Sequence, residues 1–229
     1  MERKVFIDKM EYLTRGSEAE IFKLYDGNIF KEFIIETGYR KRKIKEKRLS
    51  YLEELDALKA YYPKIHYYVD SLFRFWMSGY VMEPVCGGFL STRCYSVTQV
   101  LELLDDLRKI IDAFRLEGVY YYDIREPNIL VGKDHTPILL DIDGVILDGE
   151  KKLDATPLFL KQYLDTGGKL GFYAQVLMFN LFTRCAFRFT ELEGNIEYDK
   201  VGLEIMQTTK FLDSAYDHEY LYEHMKVKK

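Results

Sequence analysis

Between Tyr121 and Leu130 the chain reads Tyr-Tyr-Asp-Ile-Arg-Glu-Pro-Asn-Ile-Leu, so one short segment carries an acid, a cation and an amide. A second run, Leu139-Leu140-Asp141-Ile142-Asp143-Gly144, is apolar until it ends abruptly in acid. Carboxylate and amide oxygens are the hard ligands that magnesium takes. A carboxylate can also accept or orient a hydroxyl proton. Phosphoryl transfer asks for little covalent help from a protein, but it needs negatively charged oxygens held in line and neutralised. Asp and Asn cap turns wherever they occur, so the argument rests on the two runs in order and not on any single acid.

The elements that must position these residues change character along the chain. The first third alternates β-rich runs with turns: Val5 to Ile7, Ile21 to Tyr25, then Asn28 to Phe33 after the turn signal Asp26-Gly27. That pattern predicts an antiparallel meander. From Tyr39 to Leu58 charge-rich sequence with Ile44, Leu49, Leu52, Leu55 and Leu58 predicts a helix with one buried stripe. Its basic residues Lys41, Arg42, Lys43, Lys45 and Lys47 are expected on a solvated face. Two further strands are predicted at Ile65 to Val69 and Phe73 to Met82. After Pro84 and Gly87-Gly88 the chain turns mainly helical. Ser96 and Gln99 have capping-box spacing, Val100, Leu103, Leu104, Leu107, Ile110, Ile111 and Phe114 recur at helical steps, and Gly118 marks the exit. The loop with Asp123 follows, then β-like runs Ile129 to Val131 and Ile138 to Ile142, and helical patterns resume from Phe172. The expected architecture is α+β, with a β-rich half of about residues 1–82, a hinge of about 83–87 and an α-rich half of about 88–229. Ligand clefts tend to lie between such halves.

The two acidic runs resemble the catalytic loop HRDxxxxN and the metal-binding motif DFG of the protein-kinase superfamily. The resemblance implies a single two-lobed domain over residues 1–229, with a shortened C-lobe, that binds ATP and magnesium. It implies that Asp141, with Asp143 as a further ligand, and Asn128 hold the metal. Asp123 would accept or orient the hydroxyl proton, and Arg125 would offset charge on the γ-phosphate. Leu13 to Ile21 occupies the place of the glycine-rich loop, where Gly16 and Ser17 would lie over phosphates. Lys31 would reach the α- and β-phosphates, paired with Glu46, or with Glu53 or Glu54 if the helix register differs. Gly79 to Leu90 is similar to the strand and hinge of that superfamily. Met82 would then be the gatekeeper, the backbone of Glu83 and Val85 would meet the adenine edge, and Ile21 and Leu130 would close its faces.

The departures are informative. Tyr121 and Tyr122 replace the histidine and arginine before the catalytic acid, Ile142 and Asp143 replace the phenylalanine and glycine of DFG, and one glycine survives of the phosphate loop. Without that arginine a phosphorylated activation segment has no receiver, so activity independent of such phosphorylation is expected. The resemblance implies a serine/threonine kinase of atypical kind, with a protein acceptor favoured over a small hydroxyl compound. A small-molecule kinase of the same fold, or a nucleotide-binding pseudokinase acting as an interaction module, is the alternative.

Composition narrows the remaining classes. The 33 basic and 37 acidic residues give a formal net charge of -4, so no global cationic field attracts nucleic acid or anionic lipid. Neither partner is expected. Cys86, Cys94 and Cys185 are odd in number and far apart, which argues against a disulfide framework or a structural zinc site and fits a reducing cytoplasm. The charged start Met1-Glu2-Arg3-Lys4 predicts neither signal peptide nor anchor. The most apolar stretch, Leu170 to Phe189, is interrupted by Gln175, Asn180, Arg184 and Arg188 and is expected to be a buried helix.

Overall fold

A computed structural model describes residues 10–16, 18–34, 38–55, 61–70, 77–141, 144–150 and 158–190. The expected strand at Val5 to Ile7, and every expectation beyond residue 190, lie outside the described residues. The architecture is mixed α+β, a β-rich N-terminal sheet followed by helices. The chain divides into two compact units, Met1–Cys86 and Gly87–Lys229.

The first unit contains a five-stranded antiparallel sheet of β1 (Met10–Arg15), β2 (Ala19–Leu24), β3 (Ile29–Phe33), β4 (Ile65–Asp70) and β5 (Met77–Met82), in the order β1-β2-β3-β5-β4. The hairpin between β2 and β3 closes as its turn residues require: Asp26 Oδ1 accepts from the Asn28 amide, and Gly27 takes φ 88°. β1 is an element that the sequence reading assigned partly to a turn. Its side chains are mostly exposed, so no apolar alternation announces it. Alternation on β3 and β5 makes two faces. Leu24, Phe30 and Val81 form a buried cluster with Met10 and Phe22 on one of them. Phe33 and Tyr80 meet on the other, with ring centroids 6.0 Å apart, and helix α1 (Tyr39–Glu54) packs there against β5.

The buried stripe of α1 corrects one expectation. Leu49 and Leu52 are buried as predicted, but so are Arg42, Lys45 and Arg48. The reason is that this face meets polar backbone and an aromatic ring. Arg42 Nη2 donates to the carbonyls of Phe33 and Ile34, at 3.2 and 2.7 Å, and Lys45 Nζ lies 5.2 Å from the centre of the Phe33 ring. Of the predicted solvated cations, Lys43 and Lys47 are exposed and Lys41 is partly so.

In the second unit, α2 (Val97–Leu116) begins at Ser96, whose hydroxyl accepts from the Gln99 amide while the Gln99 side chain takes the Ser96 amide. All seven predicted stripe residues, and Leu101, are buried. Each contributes roughly 2 kcal/mol of apolar transfer. Gly118 ends the helix at φ 71°. Three short strands form one sheet: β6 (Gly87–Phe89), β8 (Ile129–Gly132) and β9 (Pro137–Leu139). A separate ribbon pairs β7 (Val119–Tyr121) with β10 (Val145–Leu147). Two helices complete the described part, α3 (Leu158–Asp165) and α4 (Phe172–Ala186). α4 is the buried helix expected in the apolar stretch: Val176, Phe179 and Phe182 are enclosed, and its buried Gln175 donates to the carbonyl of Ile111 on α2. Among the described residues no helix is long and apolar enough to cross a membrane. The three cysteines are free and exposed.

Candidate active site

The β8–β9 hairpin is what brings the two acidic runs together. Ile129 faces Leu139 across it, and the carbonyl of Asn128 accepts from the Leu140 amide at 2.9 Å. Asn128 and Asp141 therefore flank the same end of one hairpin, whatever their separation in sequence. The ribbon does the same for Asp123. Tyr121 pairs with Val145, and the next amide, that of Tyr122, donates to the carbonyl of Gly144 at 2.8 Å. Asp123 thus lies two residues past one strand of the ribbon, and Gly144 stands immediately before the other.

Gly144 is required for this approach. A Cβ there would stand 2.3 Å from the Asp123 Cβ and 2.4 Å from its backbone nitrogen, distances at which something must shift. The sequence alone assigns Gly144 no role. Only its position directly after the acids could have marked it.

Asp123 is buried and held on both oxygens. Arg125 Nε donates to Oδ1 at 2.8 Å, and Asn128 Nδ2 donates to Oδ2 at 2.7 Å and to the Asp123 carbonyl at 3.1 Å. Burial pushes the Asp123 carboxyl above its usual range, and the charge of Asp141 adds to that, against the opposing pull of Arg125 and Asn128. Tyr121, wholly buried, is pushed well up by burial and then by the charges of Asp141 and Asp123. Tyr121 and Asp123 thus both feel the negative charge of Asp141. Because the amide nitrogen of Asn128 is committed to Asp123, its oxygen is the atom with which it could ligate a cation. That oxygen and the Asp141 carboxylate are hard donors of the kind that small divalent cations take. Asp143 lies outside the described residues. Among those described there is no cluster of three or more His, Cys, Asp or Glu placed for a metal.

Neighbouring groups fix the loop further. The Tyr122 hydroxyl accepts from the Gly171 amide at 2.7 Å, which ties the residue before Asp123 to the cap of α4. Burial raises its phenol above the ordinary value. Glu126 accepts from both the amide and the hydroxyl of Ser91. Neither tie was foreseen, because each joins residues far apart in sequence.

In the first unit the predicted residues share a face of the sheet. Ile21 lies directly opposite Lys31, Lys31 opposite Tyr80, and Ile29 opposite Met82, so by alternation Ile21, Lys31, Tyr80 and Met82 project to the side where α1 packs. Glu83 and Val85 follow β5 in an irregular stretch, and the Glu83 amide donates to the carbonyl of Lys64 at 2.8 Å. Gly16 closes the β1–β2 turn through its amide to the Ala19 carbonyl at 2.8 Å; Ser17 lies outside the described residues. Glu46 on α1 binds Lys43, one turn away, at 2.7 Å. The carboxylate found on the buried lysine of this helix is Glu18, which sequence reasoning passed over as part of the turn. Leu130, in the second unit, is half-buried on β8 between Phe89 and Ile138.

No protein-family model matches this chain, and comparison with characterised proteins finds no similar sequence.

Proposed function

We propose that this chain is a phosphotransferase of protein-kinase-like two-lobed fold, which passes the γ-phosphoryl group of ATP to a hydroxyl, in a serine/threonine protein substrate before a small molecule. What carries the reading is the convergence of Asp123, Asn128 and Asp141 at one end of the β8–β9 hairpin, in the order and spacing of the two kinase motifs. The mixed α+β architecture is compatible with it. A cytoplasmic setting follows from the same reading, and neither nucleic acid nor membrane is part of it.

On this reading Asn128 and Asp141, with Asp143, would hold magnesium, which would supply charge neutralisation of the phosphates. Asp123 is oriented by Arg125 and Asn128 so that its carboxylate would take the proton of the acceptor hydroxyl as the new P–O bond forms and the bond from the γ-phosphorus to the β,γ-bridging oxygen breaks, releasing ADP. Its raised pKa makes it a better base than an ordinary aspartate. Arg125, largely exposed and one residue past Ile124, offsets charge on the phosphoryl group. Lys31, with an acid of α1, would meet the α- and β-phosphates. Ile21 and Met82 would pack on adenine. The Glu83 amide is already engaged, so its carbonyl, with Val85, would meet the adenine edge.

The test is mass spectrometry of the purified protein incubated with Mg-ATP, alone and with a protein acceptor mixture. Phosphate on serine or threonine in the parent, absent in Asp141→Ala, is the expected result. ATP turnover stimulated by metabolites and not by protein would move the acceptor to small molecules. Absence of turnover and of phosphate transfer in the parent would remove the enzyme reading.

A further inference from the structure

The side chain of Glu18 joins the β1–β2 turn to α1. Glu18 Oε1 lies 2.8 Å from Lys41 Nζ, and its Oε2 lies 2.9 Å from Lys45 Nζ. The backbone of Glu18 is fastened as well, since its carbonyl accepts from the Ile34 amide at 3.1 Å, just beyond β3. Arg42, on the same helix, takes the carbonyl of Ile34. The turn, the end of β3 and the start of α1 are thus joined around one residue.

The two lysines are not equivalent. Lys45 has a side chain 0% exposed and lies over the Phe33 ring, whereas that of Lys41 is 44% exposed. An ammonium withdrawn from water is costly unless a carboxylate faces it, and that carboxylate is in turn hard to displace. The ion pair with Lys45 therefore fixes where the turn sits. The bond from Lys41, in water, adds little. Burial pushes the Glu18 carboxyl up, but Lys41 and Lys45 together outweigh it and hold Glu18 below the usual carboxylate range.

We propose that Glu18 is a positioning residue that latches the β1–β2 turn to α1 and so sets how tightly the turn closes on a nucleotide's phosphates. The polarity is the reverse of the pairing expected from the resemblance: here the helix supplies a lysine and the turn supplies the acid. The nucleotide half of this inference rests on the function proposed above; the latch itself rests on the contacts alone.

The experiment combines two readouts on the full chain. Hydrogen exchange is followed over residues 14–20 without nucleotide, and Mg-ATP affinity and turnover are measured beside it. Glu18→Gln, which keeps the shape and removes the charge, is expected to speed exchange of the turn and to weaken Mg-ATP binding by about fivefold or more. Saturated turnover is expected to stay within about twofold, the signature of altered binding and not of altered chemistry. Lys45→Met should reproduce both changes, and Glu18→Gln combined with Lys45→Met should be no worse than either single change, because the two act through one contact. Lys41→Ala is expected to change neither readout by more than about twofold. Unchanged exchange of the turn in Glu18→Gln overturns the latch, as does full additivity in the double variant. Should Lys45→Met fail to fold, Glu18→Gln decides alone. If the parent binds no Mg-ATP, the nucleotide reading falls while the exchange measurement still decides the latch.

Discussion

Replacing Gly144 by alanine perturbs the candidate site through its backbone. The added methyl would sit 2.3 Å from the Asp123 Cβ, 2.4 Å from its nitrogen and 2.8 Å from its Cα. Ordinary carbon contacts begin near ~3.5 Å, so the ribbon and the Asp123 loop must part by about 1.2 Å. The obstructing atoms are backbone or directly attached to it, and the Tyr122 amide is bonded to the Gly144 carbonyl, so no flexible side chain can absorb the shift. Overpacking of this kind costs about 1–3 kcal/mol. At roughly 2–4 °C per kcal/mol for a domain of this size, thermal unfolding should begin about 2–12 °C lower. A displacement near ~1 Å at a catalytic group also costs on the order of 10²-fold in rate. The assay is a melt by circular dichroism, paired with phosphate transfer from Mg-ATP at a temperature where the variant is still folded. Gly38→Ser serves as the control, because φ is −64° there, a side chain meets nothing within 4 Å, and serine is a good helix cap. It should melt at or slightly above the parent. A Gly144→Ala protein that melts within about 1 °C of the parent and transfers phosphate at the parental rate would refute the packing argument.

Other perturbations act on single contacts. Tyr122→Phe removes the acceptor of the Gly171 amide while keeping the ring, and should cost about 1–3 kcal/mol in a denaturant titration; no measurable change would show that water replaces the bond. Arg125→Gln removes a charge that lowers the Asp123 pKa, so the rising limb of the pH–rate profile should move to higher pH. The rate on that limb should fall by up to about fivefold, as expected for an ion pair with one exposed partner; a limb that stays in place would separate Arg125 from the base. Glu18 has its pKa lowered by folding, so it stabilises the protein above the usual glutamate value near ~4.3, and that contribution fades as pH falls through the folded value. The stability gap between the parent and Glu18→Gln should therefore close on acidification, and a gap constant from neutral to acid pH would contradict the ion pairing.

How much could be read in advance depended on whether a residue's role was local. The helix from Val97 to Leu116 was legible because its cap and its stripe are both short-range patterns, and the predicted stripe is buried. The turn at Asp26-Gly27 was legible for the same reason. Strands β6, β7 and β10, each of three residues, are too short to show a period, and β1 is too exposed to show a face. Helix α3, of eight residues, is too short to show a clear helical period. On α1, the density of charge suggests a solvated face. Arg42 and Lys45 are buried because carbonyls, a carboxylate and an aromatic ring receive them, and those partners come from other segments. The candidate site divides in the same way. Spacing pointed to Asp123, Asn128 and Asp141. Gly144, Tyr122 and Glu18 owe their roles to neighbours distant in sequence, which no periodicity could have disclosed.

The central claim is that Asn128 and Asp141 grip a divalent cation carrying a triphosphate. Calorimetric titration of ATP into the purified protein, with and without magnesium, tests it most directly, with Asp141→Asn measured alongside. One site that needs magnesium in the parent, and is weakened by about tenfold or more in the variant, is the expected outcome. ATP binding indifferent both to magnesium and to Asp141, or no binding at all, would contradict it.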